Sequence, residues 1–130
     1  MFIDTSVIVA ILSGEEDAGL FARRIETAEA RMTSALVILE AVMRLSSKLG
    51  VEPADAASSI EDFLREAEIE VVAIDHADGR TAARAFADYG KGRGHPAQLN
   101  LADCLSYACA RNRNVPLLYK GNDFARTDAG

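Results

Sequence analysis

A chain of 130 residues is long enough to bury one hydrophobic core and short enough to need no second, so a single domain over residues 1–130 is expected. Its 49% apolar and 26% charged residues are those of an ordinary globular protein, and no stretch approaches the roughly 20 apolar residues that span a bilayer, which excludes a membrane role. The formal net charge of −6 argues at first sight against a nucleic-acid ligand, but clustered carboxylates that hold cations can meet phosphate through them, so overall charge is weak evidence in either direction.

Along the chain, short runs of β-formers alternate with helical patterns. Met1-Phe2-Ile3 is a buried-strand candidate that opens the sequence with neither a basic leader nor a cleavage site, so a cytoplasmic protein is expected. Asp4-Thr5-Ser6 are good helix-starting residues. From Leu20 the apolar positions Phe21, Ile25 and Ala28 recur at helical spacing, and Arg31-Met32-Thr33 reads as a second strand. Ser34 can cap a long apolar helix through Leu36, Leu39, Val42, Leu45 and Leu49, which Gly50 ends. Pro53 suits the first turn of a helix whose Ile60, Phe63, Leu64 and Ala67 share a face.

Glu70-Val71-Val72-Ala73-Ile74 is the clearest strand, and Asp75 opens a helix carrying Ala82, Ala83, Phe86 and Ala87. Three glycines and a proline make Gly90 to Pro96 a loop. Asn100 starts a helix through Leu105, Ala108 and Cys109, Pro116 to Tyr119 is a last strand, and Gly121-Asn122 is a turn. Strands alternating with helices predict an α/β fold, a parallel sheet covered on both faces. Ligands of such sheets bind beyond the carboxyl ends of the strands, where Asp4 and Asp123 fall.

Four acids are the candidate site. Asp4 follows the first strand; it could simply cap a helix, but Thr5 and Ser6 could do that equally well. Glu40 interrupts the apolar run Ala35 to Met43, where a carboxylate costs several kcal/mol unless paired or metal-bound; the bland alternative is an i,i+4 pair with Arg44. Asp103, three residues after Asn100, fits a capping box as well as a site. Asp123 taken alone is an ordinary turn residue. Together, three or four carboxylates from different elements suit hard cations such as Mg²⁺ or Mn²⁺, which can activate water against a phosphodiester.

Other polar residues have simpler roles. Lys91, Arg93 and His95 are candidate RNA contacts in the glycine-rich loop, although a solvated loop accounts for them equally, and His95 has no evident orienting partner. His76 sits in a helix start, and Glu61, Asp62, Glu66, Glu68 and Glu70 read as a solvated face that a basic partner segment could meet. Cys104 and Cys109 have the spacing of neither a local disulfide nor a zinc knuckle and read as small buried side chains.

Four segments carry a resemblance: Met1 to Ser6; Glu40 within its apolar helix; Gly94-His95-Pro96-Ala97-Gln98-Leu99-Asn100-Leu101-Ala102-Asp103-Cys104; and Pro116-Leu117-Leu118-Tyr119-Lys120-Gly121-Asn122-Asp123-Phe124. In that order, and with Thr127-Asp128 after them, they resemble the PIN-domain ribonucleases, and among these the VapC toxins of bacterial toxin–antitoxin pairs. The resemblance implies a three-layer α/β/α domain with a short, mainly parallel sheet. It implies Asp4, Glu40, Asp103 and Asp123 as a catalytic, metal-holding quartet, with Thr5 or Ser6 as a supporting hydroxyl and Asn100 ordering the Asp103 turn. It further implies Mg²⁺- or Mn²⁺-dependent cleavage of RNA, often tRNA or ribosomal RNA, a small antitoxin partner, and a homodimer. One departure stands out: the family commonly has an acid where this chain has Asn122.

Two other readings compete. A catalytically silent binding module would need none of the acids. A phosphatase with Asp4 as nucleophile would usually carry an acid two residues on, where this chain has Ser6.

Overall fold

The computed structural model describes residues 1–130. Four strands form one parallel sheet in the order β3-β2-β1-β4: β1 Phe2–Ile3, β2 Met32–Ser34, β3 Glu70–Val72 and β4 Leu117–Leu118. Helices α1 (Thr5–Leu12) and α2 (Ala18–Thr27) connect β1 to β2, and α3 (Ala35–Leu49) and α4 (Pro53–Glu66) connect β2 to β3. Helices α5 (His76–Tyr89) and α6 (Leu101–Asn112) then return the chain past β1 to β4. Right-handed crossovers in opposite directions put α1 to α4 on one face and α5 and α6 on the other. The packing agrees, with α1 contacting α2, α3 and α4, α3 contacting α4, and α5 lying along α6. Three-layer α/β/α is the observed architecture.

Phe2 and Ile3 are wholly buried between these layers, which is why the first strand is apolar without alternation. Strand length is set by the caps that follow. β1 ends because Asp4 becomes the N-cap of α1, so β4 pairs only as Leu117 and Leu118. β2 ends because Ser34 caps α3, its hydroxyl accepting from the Val37 amide at 3.3 Å. The expected strand Glu70 to Ile74 therefore stops at Val72, opposite Ser34, and lies at the sheet edge with Val71 45% exposed. At the far end of α3, Gly50 takes the left-handed conformation (φ +64°) that favours glycine.

One buried ion pair joins the α5 start to the α6 end. Asp78 is 1% exposed and receives both terminal nitrogens of Arg113, at 3.0 and 3.1 Å, with Asn112 Nδ2 at 2.9 Å and the Asp75 amide at 3.0 Å. Burial alone would push this carboxyl up, but these donors outweigh it and hold the pKa at about 2. Arg113 also donates to the Ala73 carbonyl at 2.7 Å, which fixes the segment just after β3. Arg113→Met leaves Asp78 buried without its cation, and urea unfolding at pH 7 is expected to show a loss of roughly 3 kcal/mol. A loss under about 0.5 kcal/mol, the size of an exposed pair, would contradict that role.

Candidate functional site

Strand order reverses between β1 and β4, since the chain steps outward to β2 and β3 before returning to the other side of β1. Such a switch point opens a crevice at the carboxyl ends of the two strands. Asp4 stands at the end of β1, and Asp123 follows β4 by five residues. The α6 N-terminus, with Asp103, and the first turns of α3, with Glu40, converge on the same region, since the charges of Asp4, Glu40 and Asp123 all act on Asp103.

Asp4 is 5% exposed and caps α1: its Oδ2 accepts from the Ser6 amide at 3.1 Å and the Ser6 hydroxyl at 2.7 Å. Asp103 is 7% exposed and completes a capping box, its Oδ2 accepting from the Asn100 amide at 3.1 Å while its own amide donates to Asn100 Oδ1 at 2.9 Å. Both residues therefore have the helix-capping role that their sequence positions allow. In both, the cap engages Oδ2 and leaves Oδ1 for another partner.

The chain contains two such boxes, and the contrast between them is informative. Asp78 in the Asp75 box and Asp103 in the Asn100 box occupy the same N3 position, and both are buried. Asp78 has Arg113 and falls to about 2; Asp103 has no cation and rises to about 7. Burial is the largest cause of that rise, opposed by the Asn100 amide and reinforced by the charges of Asp4, Asp123 and Glu40. Asp4 is likewise raised, by burial first, with Ser6 opposing and Glu40 adding to the effect. The fold thus gathers buried carboxylates and supplies no basic side chain to neutralise them.

Glu40 is placed differently from the sequence expectation. It is half-buried rather than enclosed, because Leu39 and Met43 beside it on α3 are 57% and 62% exposed. It makes no ion pair with Arg44. The apolar run around it is partly a surface, and only Val37, Ala41 and Leu45 of that helix are fully buried. Asp123 is exposed. The quartet therefore has a buried pair, Asp4 and Asp103, and a more accessible pair, Glu40 and Asp123.

As the side chains stand, no three acidic, histidine or cysteine groups are close enough to ligate one ion directly. The donor set still fits a hard cation of the Mg²⁺ type, which keeps several waters and takes only one or two carboxylates directly. The Thr5 hydroxyl, next to Asp4, is the only buried side-chain polar atom without a hydrogen-bond partner, and it adds an unused oxygen at this edge. Of the two expected supporting hydroxyls, Ser6 is the one bonded to Asp4.

The loop residues make no ion pair or hydrogen bond with the four acids. Lys91 and Arg93 are exposed, and the Arg93 guanidinium lies 5.8 Å from the centroid of the Phe86 ring. His95 does have an orienting partner: Nδ1 accepts the Ala97 amide at 3.0 Å, and the ring meets Tyr89 edge-on at 5.0 Å. The largest hollow, about 650 Å³ beside β4 and lined by Tyr107, Arg111 and Asp128, contains none of the four acids.

Two further residues lie near the site. Ser106, 2% exposed and three residues beyond Asp103, lies near enough to Asp4 to favour its charged form. Its signal was a polar residue on the buried face of α6. Lys120 donates its amide to Ser6 Oγ at 2.9 Å, a contact across 114 residues that no local pattern announces.

Comparison with known proteins identifies the family and the fold. The family profile described as PIN domain matches residues 1–130. The chain is 43% identical over 127 residues to Ribonuclease VapC28 of Mycobacterium tuberculosis, covering 98% of this chain and 93% of that protein. It is 40% identical over 130 residues to Ribonuclease VapC42 of the same organism, covering 98% and 95%. Among solved structures it is similar to Mycobacterium tuberculosis VapC20, a Sarcin-Ricin loop cleaving toxin, with a TM-score of 0.71, 22% identity and coverage of 95% and 92%. A toxin-antitoxin complex from Klebsiella pneumoniae contains a chain with the same TM-score of 0.71 at 16% identity, with coverage of 98% and 92%. At those identities the two structures show the fold.

The raised carboxyl of Asp103 gives a pH prediction for the metal-free protein. A group whose folded pKa is about 7 and whose ordinary value is 3.8 binds its proton more tightly when folded. Its contribution is complete below the ordinary value and is lost as pH rises through the folded one. Stability is expected to fall between about pH 4 and pH 7, and Asp103→Asn to flatten that fall and be more stable by about 1–3 kcal/mol at pH 8. Urea unfolding across that range checks it; an identical slope in the variant would count against the coupling.

Proposed function

The chain belongs to the PIN-domain family, among the VapC ribonucleases, and on that basis we propose that it is a metal-dependent endoribonuclease acting in the cytoplasm as the toxin of a toxin–antitoxin pair. The observation that carries the proposal is Asp103: a buried carboxyl raised to about 7 by burial and by the charges of Asp4, Asp123 and Glu40, with no basic side chain paired to it. Such an arrangement is costly in the free protein and suited to a cation. Bound Mg²⁺ or Mn²⁺ supplies an activated water and neutralises charge developing on the phosphodiester.

The residues of the chain divide the remaining work. Asp4 and Asp103 offer oxygens fixed by their caps, so little reorganisation is required of them. Ser6 holds the Asp4 carboxylate in one orientation, and Asn100 does the same for Asp103. Glu40 and Asp123, more accessible, stand where a hydrated ion and an RNA strand would approach. Lys91 and Arg93 are exposed cations in the loop before α6 and suit phosphates flanking the scissile bond; His95, tied to Ala97 and Tyr89, shapes that loop. A tRNA or ribosomal RNA is the proposed substrate class. A small antitoxin and a second copy of the chain are the proposed partners, and the exposed Leu39, Met43, Phe86 and Leu101 are the apolar surface that partners would cover.

The test is cleavage of tRNA and ribosomal RNA by the full chain with Mg²⁺ or Mn²⁺. Chelation is expected to abolish cleavage, and Asp4→Asn, Glu40→Gln and Asp103→Asn each to reduce it by at least about a hundredfold. Full activity in Asp4→Asn and Glu40→Gln would remove the carboxylate site. A wild type that cuts no RNA and takes up no metal in calorimetry would make the chain a silent binding module.

A further inference from the structure

The loop after β4 is tied down by ion pairs that involve none of the four acids. Lys120 Nζ donates to Glu15 Oε1 and, at 3.0 Å, to Asp17 Oδ1, both in the segment between α1 and α2. Glu15 is held in turn by Lys48 of α3 at 2.6 Å, and the two lysines bring its carboxyl down to about 2. The Lys120 amide donates to Ser6 Oγ, the same hydroxyl that donates to Asp4 Oδ2. One residue is thus fastened by its backbone to the Asp4 cap and by its side chain to the turn beyond α1.

The other end of the loop is fastened too. Phe124 is 1% exposed and packs on Tyr119 with ring centroids 5.3 Å apart. Between the two anchors the chain reverses at Gly121, whose φ of +101° only glycine adopts readily, and presents the exposed Asp123. With both ends fixed, the position of Asp123 relative to Asp4 depends on Lys120 on one side and on Phe124 on the other.

We propose that Lys120 is a positioning residue for metal binding, its latch to Glu15, Asp17 and Ser6 holding the Asp123 segment against Asp4. The proposal rests on the metal-dependent reading above. A lysine at this edge could instead receive a substrate phosphate directly, with Glu15 masking it in the free protein. The two roles predict opposite signs. Neutralising Glu15 loosens a latch but liberates a phosphate contact.

Calorimetric titration of the full chain with Mn²⁺, beside thermal melting and RNA cleavage, separates them. Lys120→Met and Glu15→Gln are each expected to weaken Mn²⁺ binding about tenfold, as loss of a partner that orients a ligand does, with little change in melting temperature. Lys120→Arg, which can still reach both carboxylates, is expected to keep most of the affinity. In an Asp123→Asn background, itself weakened, Lys120→Met is expected to add nothing, because it acts through Asp123. Unchanged affinity in Lys120→Met, losses that add in the double variant, or faster cleavage by Glu15→Gln would each overturn the latch. A wild type that binds Mn²⁺ but cuts no RNA would sink the nuclease reading alone, and the affinities would still decide the latch.

Discussion

Mutual repulsion among carboxylates at one sheet edge is the constraint around which this molecule is arranged. Asp4 and Asp103 are almost fully buried, feel each other and Glu40, and have no cationic side chain to relieve them. Left to themselves such groups would move apart or recruit a lysine. Here each is held by a helix start: Asp4 by the first turn of α1, Asp103 by the box with Asn100. The caps are more than decoration of helix ends, because they set mutually repelling carboxylates where the strand order reverses and the sheet opens a crevice.

The Asp78–Arg113 pair shows what the same local motif does when the fold supplies a counter-ion. Both N3 aspartates are buried, and both accept the amide of their N-cap residue. With Arg113 present the carboxyl is firmly ionised and clamps α5 to α6, while without such a partner the carboxyl at the other helix start is raised to about 7. Capping chemistry is common to the two, so it cannot explain the difference. The missing cation is what sets Asp103 apart from a structural joint, and it supports the proposal that this carboxyl belongs to a metal site.

How much of this was legible in the sequence depended on range. The caps at Ser34, Asp75 and Asn100, the glycine at the end of α3 and the proline at the start of α4 are local signals, and the structure contains each of them. Strand lengths were overestimated at Glu70 to Ile74 and Pro116 to Tyr119, because pairing ends where the neighbouring strand turns into a helix cap, which a single segment does not reveal. The three-layer fold followed from the alternation of elements. The burial of Glu40 did not, since apolar neighbours can equally form an exposed stripe, as Leu39 and Met43 do. Contacts such as Ser6 with Lys120, or Asp78 with Arg113, join residues far apart in the chain and were beyond any pattern of spacing.

Net charge, the feature least favourable to an RNA ligand, is resolved by where the charges lie. Of the twenty acidic residues four belong to the quartet, leaving sixteen against fourteen basic ones, so the rest of the surface is close to balanced. Several basic groups are also engaged elsewhere: Arg113 in its buried pair, Lys48 and Lys120 on Glu15, and Arg31 on the carbonyls of Glu26, Ala28 and Ala67. A protein built this way has little positive field with which to gather nucleic acid from a distance, so association should be slow and weakly steered. On the proposed metal-dependent reading, affinity for phosphate would reside at the acidic edge and be switched on by a bound cation, which would tie substrate binding and catalysis to the same ion.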